Sequence, residues 1–463
     1  MERYDMVVIG AGAAGLTAAG GAAALGARVA LLERDRMGGD CLNYGCVPSK
    51  ALLHVANAAG RVRTRPNLDT VMDYVRRAQM RIAPHDSVER MTELGVEVRQ
   101  TDARLRSRHE VDAVATGDVL RARHVVIATG SAPVVPEVPG LAAAGFLTNE
   151  TVWRATRLPD ALLVIGGGPI GCELGQAFQR LGSAVTIVNA AAHLLPREDA
   201  DVAEVLERRL IAEGVTIVNA AQATGVERRG ARKRVIIETP VGARAIDVDE
   251  ILVAAGRRPR LQGLGLDEVG VTYDARGIHV DRAGRTSVAG IWAVGDVTAT
   301  YRFTHWGAHQ ARLVVRNALL PGTAKDGRAW LPWTTFTQPE IARMGMSEDE
   351  ARAQGLAYDV HRVPFEEVDR AICDGETDGF GKVLTKRGRG TILGAAIVHA
   401  RAGELIAELT LAKRHGIALG ALASMIHVYP TLGDVHGLVA DHYLLGRLAR
   451  WRPLLARWFA WRR

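Results

Sequence analysis

The sequence predicts an α/β fold with two doubly wound βαβ units, followed by a separate α+β domain. Three observations predict this fold: a glycine-rich strand–turn–helix pattern that occurs twice, further apolar strands that end in glycine, and a change of character near residue 331. The 463 residues suffice for about three domains. With 48% hydrophobic and 24% charged residues, the composition is that of a globular protein and excludes a disordered or fibrous chain.

The two βαβ units are predicted by an internal repeat. In each copy an apolar strand runs into three glycines with the spacing GxGxxG, which are Gly10, Gly12, Gly15 and then Gly166, Gly168, Gly171. The first glycine makes the turn, the second lets the backbone approach a pyrophosphate, and the third lets the helix pack against the sheet. The N-terminus of the helix then faces the phosphates. The repeat therefore predicts two dinucleotide-binding sites.

The residue that closes the second strand of each unit is expected to contact a ribose. In the first unit this residue is Glu33, whose carboxylate suits the two ribose hydroxyls. In the second unit it is Asn189, which can bind the same hydroxyls but does not repel a 2′-phosphate. Residues 190–192 include no arginine that would bind such a phosphate. The second site therefore leaves both NADH and NADPH open.

Two other apolar strands end where a nucleotide is expected, at Thr129-Gly130 and at Gly256, and a further strand ends at Gly295-Asp296. A helix is predicted to follow the last of these strands, from about residue 304 to 317. Beyond Leu331 the chain has prolines at 332, 339 and 364, and then predicted strands (381–384 and 392–399) and predicted helices (402–415 and 419–425). This region is therefore expected to form an α+β domain of its own.

Two of the four cysteines form a candidate redox pair. Cys41 and Cys46 are close in sequence near the N-terminus, whereas Cys172 and Cys373 stand alone. Four cysteines in 463 residues exclude a secreted disulfide scaffold, and zinc-finger spacing is absent. Lys50 follows Cys46 by one helical turn. A cation and a helix N-terminus lower the pKa of a nearby thiol, so this pair suits redox chemistry in a cytosolic protein.

The segment GGDCLNYGCVPSK at residues 38–50 resembles the active-site disulfide of the class I pyridine nucleotide-disulfide oxidoreductases, which include dihydrolipoamide dehydrogenase, glutathione reductase and mercuric reductase. The resemblance extends over almost the whole chain, through ATG at 128–130, AAGRRP at 254–259 and the GD at 295–296. It implies a glutathione-reductase-like fold: an FAD-binding domain at 1–148 and 276–330, an NAD(P)-binding domain at 149–275 and a dimerisation domain at 331–445. Residues 446–463 remain as a tail.

The resemblance also implies roles for individual residues. Cys46 would be the flavin-facing thiolate and Cys41 the thiol that exchanges with the acceptor. Glu173 would pair with Lys50 near flavin N5. The remaining FAD contacts would come from the glycine loop, from Asp296 near the ribityl and pyrophosphate, and from the helix entered around Ala308 and His309, whose positive end would face the flavin pyrimidine. The implied cofactors are FAD and NADH or NADPH. The implied assembly is a homodimer whose subunits share the active site.

The C-terminal region departs from the family pattern. The disulfide reductases have a His-Pro there, with a glutamate after it, and the histidine acts as acid and base. Here Tyr429 takes the position of the histidine and Asp434 that of the glutamate. Tyrosine, with a reference pKa of about 10, is a poor base at neutral pH. His427, two residues earlier, could replace it or could be a packed core residue.

This departure disfavours dihydrolipoamide dehydrogenase and favours the mercuric reductase branch, where tyrosine occupies this neighbourhood. The cysteine pair that mercuric reductases carry at the C-terminus is absent, since no cysteine follows Cys373. The hypothesis is thus a mercuric-reductase-like flavoprotein that passes electrons to a disulfide, a metal ion or another soft electrophile. The alternatives are dihydrolipoamide dehydrogenase and a low-turnover flavoprotein that senses redox state or reduces quinones.

The formal net charge of +7 does not predict nucleic-acid binding, because aromatic residues accompany an arginine-rich run only at the extreme C-terminus. That tail, residues 444–463, has six arginines, three tryptophans and no acidic residue, and Pro453 is expected to divide it into two short helices. It suits either peripheral attachment to an anionic membrane or packing on the dimer. The uncharged stretch 6–27 consists mainly of glycine and alanine, so a membrane span is not predicted. The expected location is the cytoplasm, with possible contact with the inner face of the membrane.

Overall fold

The computed structural model describes residues 2–62, 64–449 and 451–463. The chain divides into two compact units. The first unit combines the chain up to Val188 with Ala221–Asp326, and the second combines Asn189–Ala220 with Gly327–Arg463. The predicted domain boundaries stay predictions, because each unit combines segments from more than one predicted domain.

The β-strands of the described residues are, in chain order, β1 (Glu2–Ile9), β2 (Val29–Glu33), β3 (Val96–Gln100), β4 (Ala103–Ser107), β5 (Glu110–Ala113), β6 (Asp118–Ile127), β7 (Ser131–Pro133), β8 (Ala161–Ile165), β9 (Ala184–Val188), β10 (Thr216–Val218), β11 (Gln222–Arg229), β12 (Arg232–Thr239), β13 (Gly242–Val248), β14 (Glu250–Val253), β15 (Arg257–Pro259), β16 (Tyr273–Asp274), β17 (Gly277–Ile278), β18 (Ile291–Ala293), β19 (Pro332–Thr335), β20 (Glu340–Gly345), β21 (Tyr358–Pro364), β22 (Phe380–Lys386) and β23 (Ile392–His399).

The α-helices are α1 (Ala13–Ala24), α2 (Gly39–Asn43), α3 (Cys46–Val62), α4 (Leu68–Ile82), α5 (Val88–Glu93), α6 (Leu141–Ala144), α7 (Pro169–Leu181), α8 (Ala200–Ala212), α9 (Leu266–Val269), α10 (Thr304–Leu319), α11 (Glu348–Ala353), α12 (Asp369–Asp374), α13 (Ala402–Arg414), α14 (Leu419–Leu422), α15 (Asp434–Ala449) and α16 (Arg452–Arg462).

The first unit contains a sheet in which β1 lies between β2 and β6, all in parallel orientation. β3 extends it beyond β2, and β18 pairs in parallel with the end of β6. The second half of β1, residues 6–9, is an apolar run in which Val7 and Val8 are fully buried, as is typical of a strand covered on both faces. The alanines of α1 at 18, 19 and 22 are buried, and their small side chains let the helix lie close to the sheet. This is the first predicted βαβ unit.

The second predicted βαβ unit is also present in the first compact unit. Its strands β8, β9 and β14 pair in parallel, with β8 in the middle. The crossover helix α7 begins with Pro169, where the missing N–H breaks no helical hydrogen bond. Glu173 and Gln176 of α7 are buried together with its apolar residues. An antiparallel sheet of β11, β12 and β13 completes this region.

The second compact unit is built on a five-stranded antiparallel sheet in the order β19-β20-β23-β22-β21. Helices α13 and α15 contribute Leu409 and Val439 to a core that also contains Ile397 and Phe365. The predicted α+β domain is therefore confirmed as a fold, and with the two βαβ units it confirms the predicted fold class. Helix α13 ends at Arg414, one residue before the predicted end, and α14 ends at Leu422 rather than at residue 425.

A buried cation joins the segment 189–220 to the sheet of the second unit. Lys382 of β22 is 1% exposed, and its Nζ lies 2.9 Å from Asp199 Oδ2, 2.7 Å from Asp201 Oδ1 and 2.9 Å from Glu348 Oε1. Burial favours the neutral form of Asp199, but the hydrogen bond and charge of Lys382 outweigh it and lower the pKa of this carboxyl. One ammonium group thus compensates three carboxylates, two from the segment 189–220 and one from α11.

The tail differs from the prediction of two short helices that start at residue 444. Helix α15 begins at Asp434 and ends at Ala449, and α16 follows from Arg452. Pro453 stands in the first turn of α16, a position where proline starts a helix rather than breaking one. Arg450 lies outside the described residues. Among the helices that the structure describes, none is both long enough and apolar enough to cross a membrane.

Candidate active site

The first glycine loop leaves space for a phosphate beside Gly12, the one of its three glycines that the packing of the protein itself does not require. Gly10 has φ +101°, and a Cβ there would lie 2.6 Å from Ala128 O. A Cβ on Gly15 would lie 1.7 Å from Gly10 O, so both positions need glycine for the turn to form. At Gly12 the nearest atom to such a Cβ is 3.9 Å away. The space beside Gly12, at the N-terminus of α1, therefore fits the pyrophosphate of a dinucleotide.

The second glycine loop has the same construction. A Cβ on Gly166 would lie 2.3 Å from Ala254 O, and one on Gly171 would lie 2.0 Å from Gly166 O. No described protein atom lies within 4 Å of the position of a Cβ on Gly168, the middle glycine at the N-cap of α7. Both predicted dinucleotide sites thus have the required backbone.

Glu33 ends β2 beside the first glycine loop and is buried. Its Oε2 accepts a hydrogen bond from Ala11 N–H at 2.6 Å, and its Oε1 accepts one from Asp35 N–H at 2.8 Å. Each carboxylate oxygen has a further lone pair that a ribose hydroxyl can use. Glu33 therefore holds the glycine loop in place in addition to the ribose contact that the sequence predicts.

Asn189 follows β9 and directs its amide into its own loop. Its Nδ2 donates to Ala191 O at 3.1 Å, to His193 O at 2.8 Å and to Asn219 Oδ1 at 2.9 Å. The amide nitrogen is thus used to order the loop, and Oδ1 is the atom that can accept a bond from a ribose hydroxyl. This structural use of Asn189 was not predicted.

Asp296 lies after β18, near the end of β6. Ser131 donates its hydroxyl to Asp296 Oδ2 at 2.6 Å, and Arg257 Nε lies 3.9 Å from the same oxygen. Burial raises the pKa of Asp296, although Ser131 and Arg257 oppose the change. Close by along the chain, Thr129 donates its hydroxyl to Arg260 O at 2.9 Å. Gly130 and Gly256 both have positive φ, 71° and 123°, in the turns that follow their strands.

The helix expected near the flavin is α10, and its N-terminus lies at Thr304. Ala308 and His309, which were expected at the entry of this helix, lie in its second turn instead. The ring of His309 stacks on Trp306, with centroids 5.5 Å apart. The positive end of the helix dipole is therefore at Thr304, because the orphan N–H groups belong to the first turn.

The two cysteines lie on consecutive helices, Cys41 within α2 and Cys46 as the first residue of α3, and both are free thiols. Cys46 Sγ lies 3.2 Å from Thr304 Oγ1. A hydrogen bond from Cys41 lowers the pKa of Cys46 to about 6 against the effect of burial, with further lowering by Thr304 and Lys50. The hydrogen bond to Cys46 and burial raise the pKa of Cys41. At neutral pH the pair therefore consists of a Cys46 thiolate and a Cys41 thiol.

The predicted ion pair is present beside this thiolate. Lys50 Nζ lies 2.7 Å from Glu173 Oε2, and the Glu173 side chain is 7% exposed. Lys50 is one helical turn after Cys46, so the pair places a cation near the sulfur and holds it there.

Sequence reasoning missed two features here. Thr304 lies 258 positions from Cys46 in the chain, and only its place at the start of a predicted helix could have indicated it. The second feature is a cavity of about 440 Å³ between α3 and α4. It is lined by Cys46, Val47, Lys50, Ala51, His54, Tyr74, Ala78 and Ile82. The lining is mostly apolar, and the rings of His54 and Tyr74 stack 5.5 Å apart.

The C-terminal candidates lie in the second compact unit. Tyr429 is 70% exposed and donates its hydroxyl to Asp369 Oδ2 at 2.7 Å. This hydrogen bond and the Asp369 charge raise the pKa of Tyr429. His427 is mostly buried, with Nε2 3.2 Å from Glu408 Oε1. Asp434 is the first residue of α15. Of the two predicted candidates for the base, Tyr429 is thus held as a donor and His427 is engaged by a carboxylate.

Two dinucleotide loops and a cysteine pair with one activated thiol define a dinucleotide-dependent oxidoreductase. The model of the pyridine nucleotide-disulphide oxidoreductases matches residues 4–312, and that of their dimerisation domain matches residues 331–438. The chain belongs to the pyridine nucleotide-disulphide oxidoreductase family. It is therefore a flavin-dependent enzyme that uses FAD and NADH or NADPH, and its dimerisation domain indicates a homodimer.

Relatives with two different activities are similar to this chain. It is 35% identical to a dihydrolipoyl dehydrogenase of Thermus scotoductus, over 94% of this chain and 96% of that protein. It is 34% identical to a mercuric reductase of Streptomyces lividans, over 95% and 96%. Among solved structures, the Cu(II) complex of the HOCl-induced flavoprotein disulfide reductase RclA from Escherichia coli has a TM-score of 0.85 at 28% identity, covering 95% of this chain and 99% of that chain.

Proposed function

We propose that the enzyme passes electrons from NAD(P)H through the Cys41–Cys46 pair to a soft acceptor: a disulfide, a thiophilic metal ion or another soft electrophile. The observation that carries this proposal is the activated thiol of Cys46, with its pKa of about 6, next to the protonated thiol of Cys41. A thiolate is the nucleophile and the metal ligand in cysteine chemistry, and this one exists at neutral pH.

The residues present fit FAD, and each has a defined task. Gly10, Gly12 and Gly15 with the N-terminus of α1 would hold the pyrophosphate, and Glu33 the adenosine ribose. Asp296 and the N-terminus of α10 would lie along the rest of the cofactor. When bound, FAD supplies two-electron transfer between the nicotinamide and the cysteine pair. The second glycine loop would hold the pyrophosphate of the nicotinamide dinucleotide.

The protein's own groups account for the thiol chemistry. Lys50, held by Glu173, stabilises the negative sulfur of Cys46, and Thr304 donates a hydrogen bond to it. Cys41 keeps its own proton and donates it in a hydrogen bond to the Cys46 sulfur, which is the nearest group that can take this proton when the Cys41 sulfur attacks the acceptor. The reduced pair thus contains one anionic and one neutral sulfur.

The state of Tyr429 favours an acceptor that needs no protein base. Oxidation of a dithiol such as dihydrolipoamide requires a group that removes protons at neutral pH. The Tyr429 hydroxyl donates a hydrogen bond to Asp369 and the pKa of Tyr429 is raised, so Tyr429 is not suited to remove such a proton. Metal ions and other soft electrophiles carry no proton to be removed. This contrast supports the mercuric-reductase-like assignment over dihydrolipoamide dehydrogenase, and it leaves a low-turnover sensing role and quinone reduction as alternatives.

A panel of acceptors tests the proposal. The purified FAD-containing enzyme is assayed with NADH and NADPH against lipoamide, glutathione disulfide, Hg(II), Cu(II) and quinones. Reduction of at least one disulfide or metal acceptor is expected, and it should be lost in Cys41→Ser but retained in Cys373→Ser, a variant of an exposed cysteine elsewhere. Partial reduction should produce a long-wavelength thiolate-to-flavin absorption that disappears in Cys46→Ser. Equal rates in wild type and Cys41→Ser, with quinones as the sole acceptors, would instead support quinone reduction.

We further propose that the active site is shared between the subunits of the homodimer.

We also propose that the C-terminal tail contacts an anionic membrane surface. Within the described residues of α16 none is buried, and its exposed side chains include Leu454, Trp458, Phe459 and Trp461. An arginine-rich helix with exposed aromatic residues suits binding to anionic headgroups. Co-sedimentation with vesicles of anionic lipid, lost when residues 451–463 are deleted, is the expected result. Tail-dependent dimer stability without vesicle binding would favour packing on the dimer.

A further inference from the structure

Two histidines and a glutamate meet in the second compact unit, away from the cysteine pair in sequence. Glu408 comes from α13, His436 from the first turn of α15, and His427 from the segment between α14 and α15. His427 Nε2 lies 3.2 Å from Glu408 Oε1, and His436 Nδ1 lies 2.9 Å from Glu408 Oε2. One ligand atom from each residue lies within 4.8 Å of those of the other two. We call these three residues the His-Glu-His cluster.

His436 is the member of the cluster that lacks an adequate protein partner. It is 3% exposed, and neither ring nitrogen makes a hydrogen bond with any described residue. Nδ1 is close to Glu408 Oε2, but the direction of approach is outside that of a hydrogen bond. A buried polar group without a hydrogen bond costs about 1–3 kcal/mol. A buried imidazole with an unused nitrogen that faces a carboxylate therefore points to a ligand.

The spacing and chemistry of the cluster fit one metal ion. Zinc binds histidine nitrogen and carboxylate oxygen at about 2.0–2.2 Å in a tetrahedral arrangement, so its ligand atoms lie about 3.3–3.5 Å apart. The two distances to Glu408, 3.2 Å to Oε1 and 2.9 Å to Oε2, are slightly shorter than this value, and all three ligand atoms lie within 4.8 Å of one another. Two imidazoles and a carboxylate occur together as a zinc ligand set, with a fourth position for water.

We infer that Glu408, His427 and His436 bind one divalent transition-metal ion, with zinc as the ion that this donor set fits best. The ion would connect α13 and α15 to the segment that carries Tyr429, because His427 is two residues before Tyr429. Metal occupancy would therefore hold this segment in place, whichever acceptor the cysteine pair serves.

The test uses the full FAD-containing chain with Cys41, Cys46 and Cys373 replaced by serine, so that accessible thiols cannot bind the ion. Zn(II) and Co(II) are titrated by calorimetry, and Co(II) is also followed by its visible absorption. We expect one ion per chain, a four-coordinate Co(II) spectrum, and X-ray absorption with imidazole but no sulfur scattering. Failure to bind either ion, or bound metal without imidazole scattering, would overturn the inference.

Matched variants locate the site. His436→Asn and His427→Asn each remove one direct ligand, and His415→Asn removes an exposed histidine one residue beyond α13. Loss of an outer-shell partner weakens metal sites by about 10- to 100-fold, so loss of a direct ligand should weaken binding at least as much. His415→Asn should bind as the parent does, and Zn(II) should raise the melting temperature of the parent but not of the two ligand variants. Unchanged binding in both ligand variants would refute the site. If these variants do not fold, the X-ray absorption of the parent decides.

Discussion

Lys50 Nζ lies 2.7 Å from Glu173 Oε2, although the two residues are 123 positions apart in the chain. The contact joins α3, which begins with Cys46, to α7, which begins after the second glycine loop. It thereby fixes a cation one helical turn from the reactive sulfur. The Glu173 side chain is almost fully buried, so it provides a fixed anchor for the Lys50 ammonium group.

Replacing the cation should raise the pKa of the thiol. In the reduced wild type, alkylation of Cys46 should be half-maximal near pH 6. Lys50→Met removes a nearby positive charge, so we expect the midpoint to rise by about one unit, the lower end of the effect of a close opposite charge. Mass spectrometry of the Cys46 peptide against pH measures it. Lys386→Met, which removes an exposed lysine in another unit, should leave the midpoint unchanged, and an unshifted midpoint in Lys50→Met would contradict the role assigned to the ion pair.

The hydrogen bond from Cys41 should matter more than the cation, because it is the largest cause of the lowered pKa of Cys46. Cys41→Ala removes the donor, whereas Cys41→Ser keeps a hydroxyl in its place. We therefore expect the alkylation midpoint of Cys46 to be higher in Cys41→Ala than in Cys41→Ser. Thr304→Val and Thr304→Ser form a second matched pair with the same expected order. Equal midpoints within both pairs would show that neither donor acts on the sulfur.

Restoring an imidazole next to Pro430 should add dithiol oxidation. Tyr429→His places a group with a reference pKa of about 6.5 where Tyr429 has a raised pKa. General acid–base catalysis contributes at least about 100-fold, so activity with dihydrolipoamide and NAD⁺ should rise by about that factor. Tyr429→Phe serves as the control and should leave this activity at the wild-type level. High dihydrolipoamide activity in the wild type, lost in Tyr429→Phe, would show that the tyrosine itself supports the reaction.

Removing Lys382 should destabilise the second compact unit in a pH-dependent way. Lys382→Met leaves three carboxylates around an uncharged side chain, which should cost about 3–5 kcal/mol at pH 7. In the wild type the pKa of Asp199 is lowered in the folded state, so its contribution is present above its ordinary pKa and is lost as the pH falls through the folded value.

In Lys382→Met the pH dependence of the contribution of these carboxyls to stability has the opposite sign. Repulsion among the three carboxylates raises their pKa values in the folded state above those of the unfolded state. Folding then takes up protons, and the deficit relative to the wild type should shrink as the pH falls from about 7 to about 5. Urea unfolding at several pH values measures this. Lys382→Arg keeps the positive charge but changes the shape of the side chain. Comparing it with Lys382→Met separates the effect of the lost charge from the effect of altered packing. A deficit that does not change with pH would contradict the electrostatic account.

The loop after β9 limits how nicotinamide preference can be changed. Asn189→Asp would add the carboxylate that favours NADH, but it removes the amide that donates to Ala191 O, His193 O and Asn219 Oδ1. A carboxylate facing these oxygens is repelled, so we expect weaker binding of both NADH and NADPH rather than a simple switch. Michaelis constants for both nucleotides measure this, with Asn189→Ala as the control for the lost amide alone. A selective gain for NADH would show that the loop tolerates the loss.

The sequence alone determined the features that depend on local pattern. The repeated GxGxxG loops, the apolar strands before them and the alternating C-terminal elements follow from chain stereochemistry and burial, and these specify the fold class. The cysteine spacing and the position of Tyr429 were likewise visible without a structure. The pairing of Glu173 with Lys50 was predicted because the family resemblance supplied a contact that spacing cannot.

Only the tertiary structure decided which groups that are far apart in sequence lie close together in space. Thr304 lies next to Cys46, Lys382 compensates carboxylates from two other segments, and His436 meets Glu408 and His427, because helices and strands far apart in sequence pack together. The use of the Asn189 amide within its own loop also depended on packing. Charge, hydrogen bonding and the pKa of a thiol act over a few ångströms in space, and a linear sequence does not contain those distances.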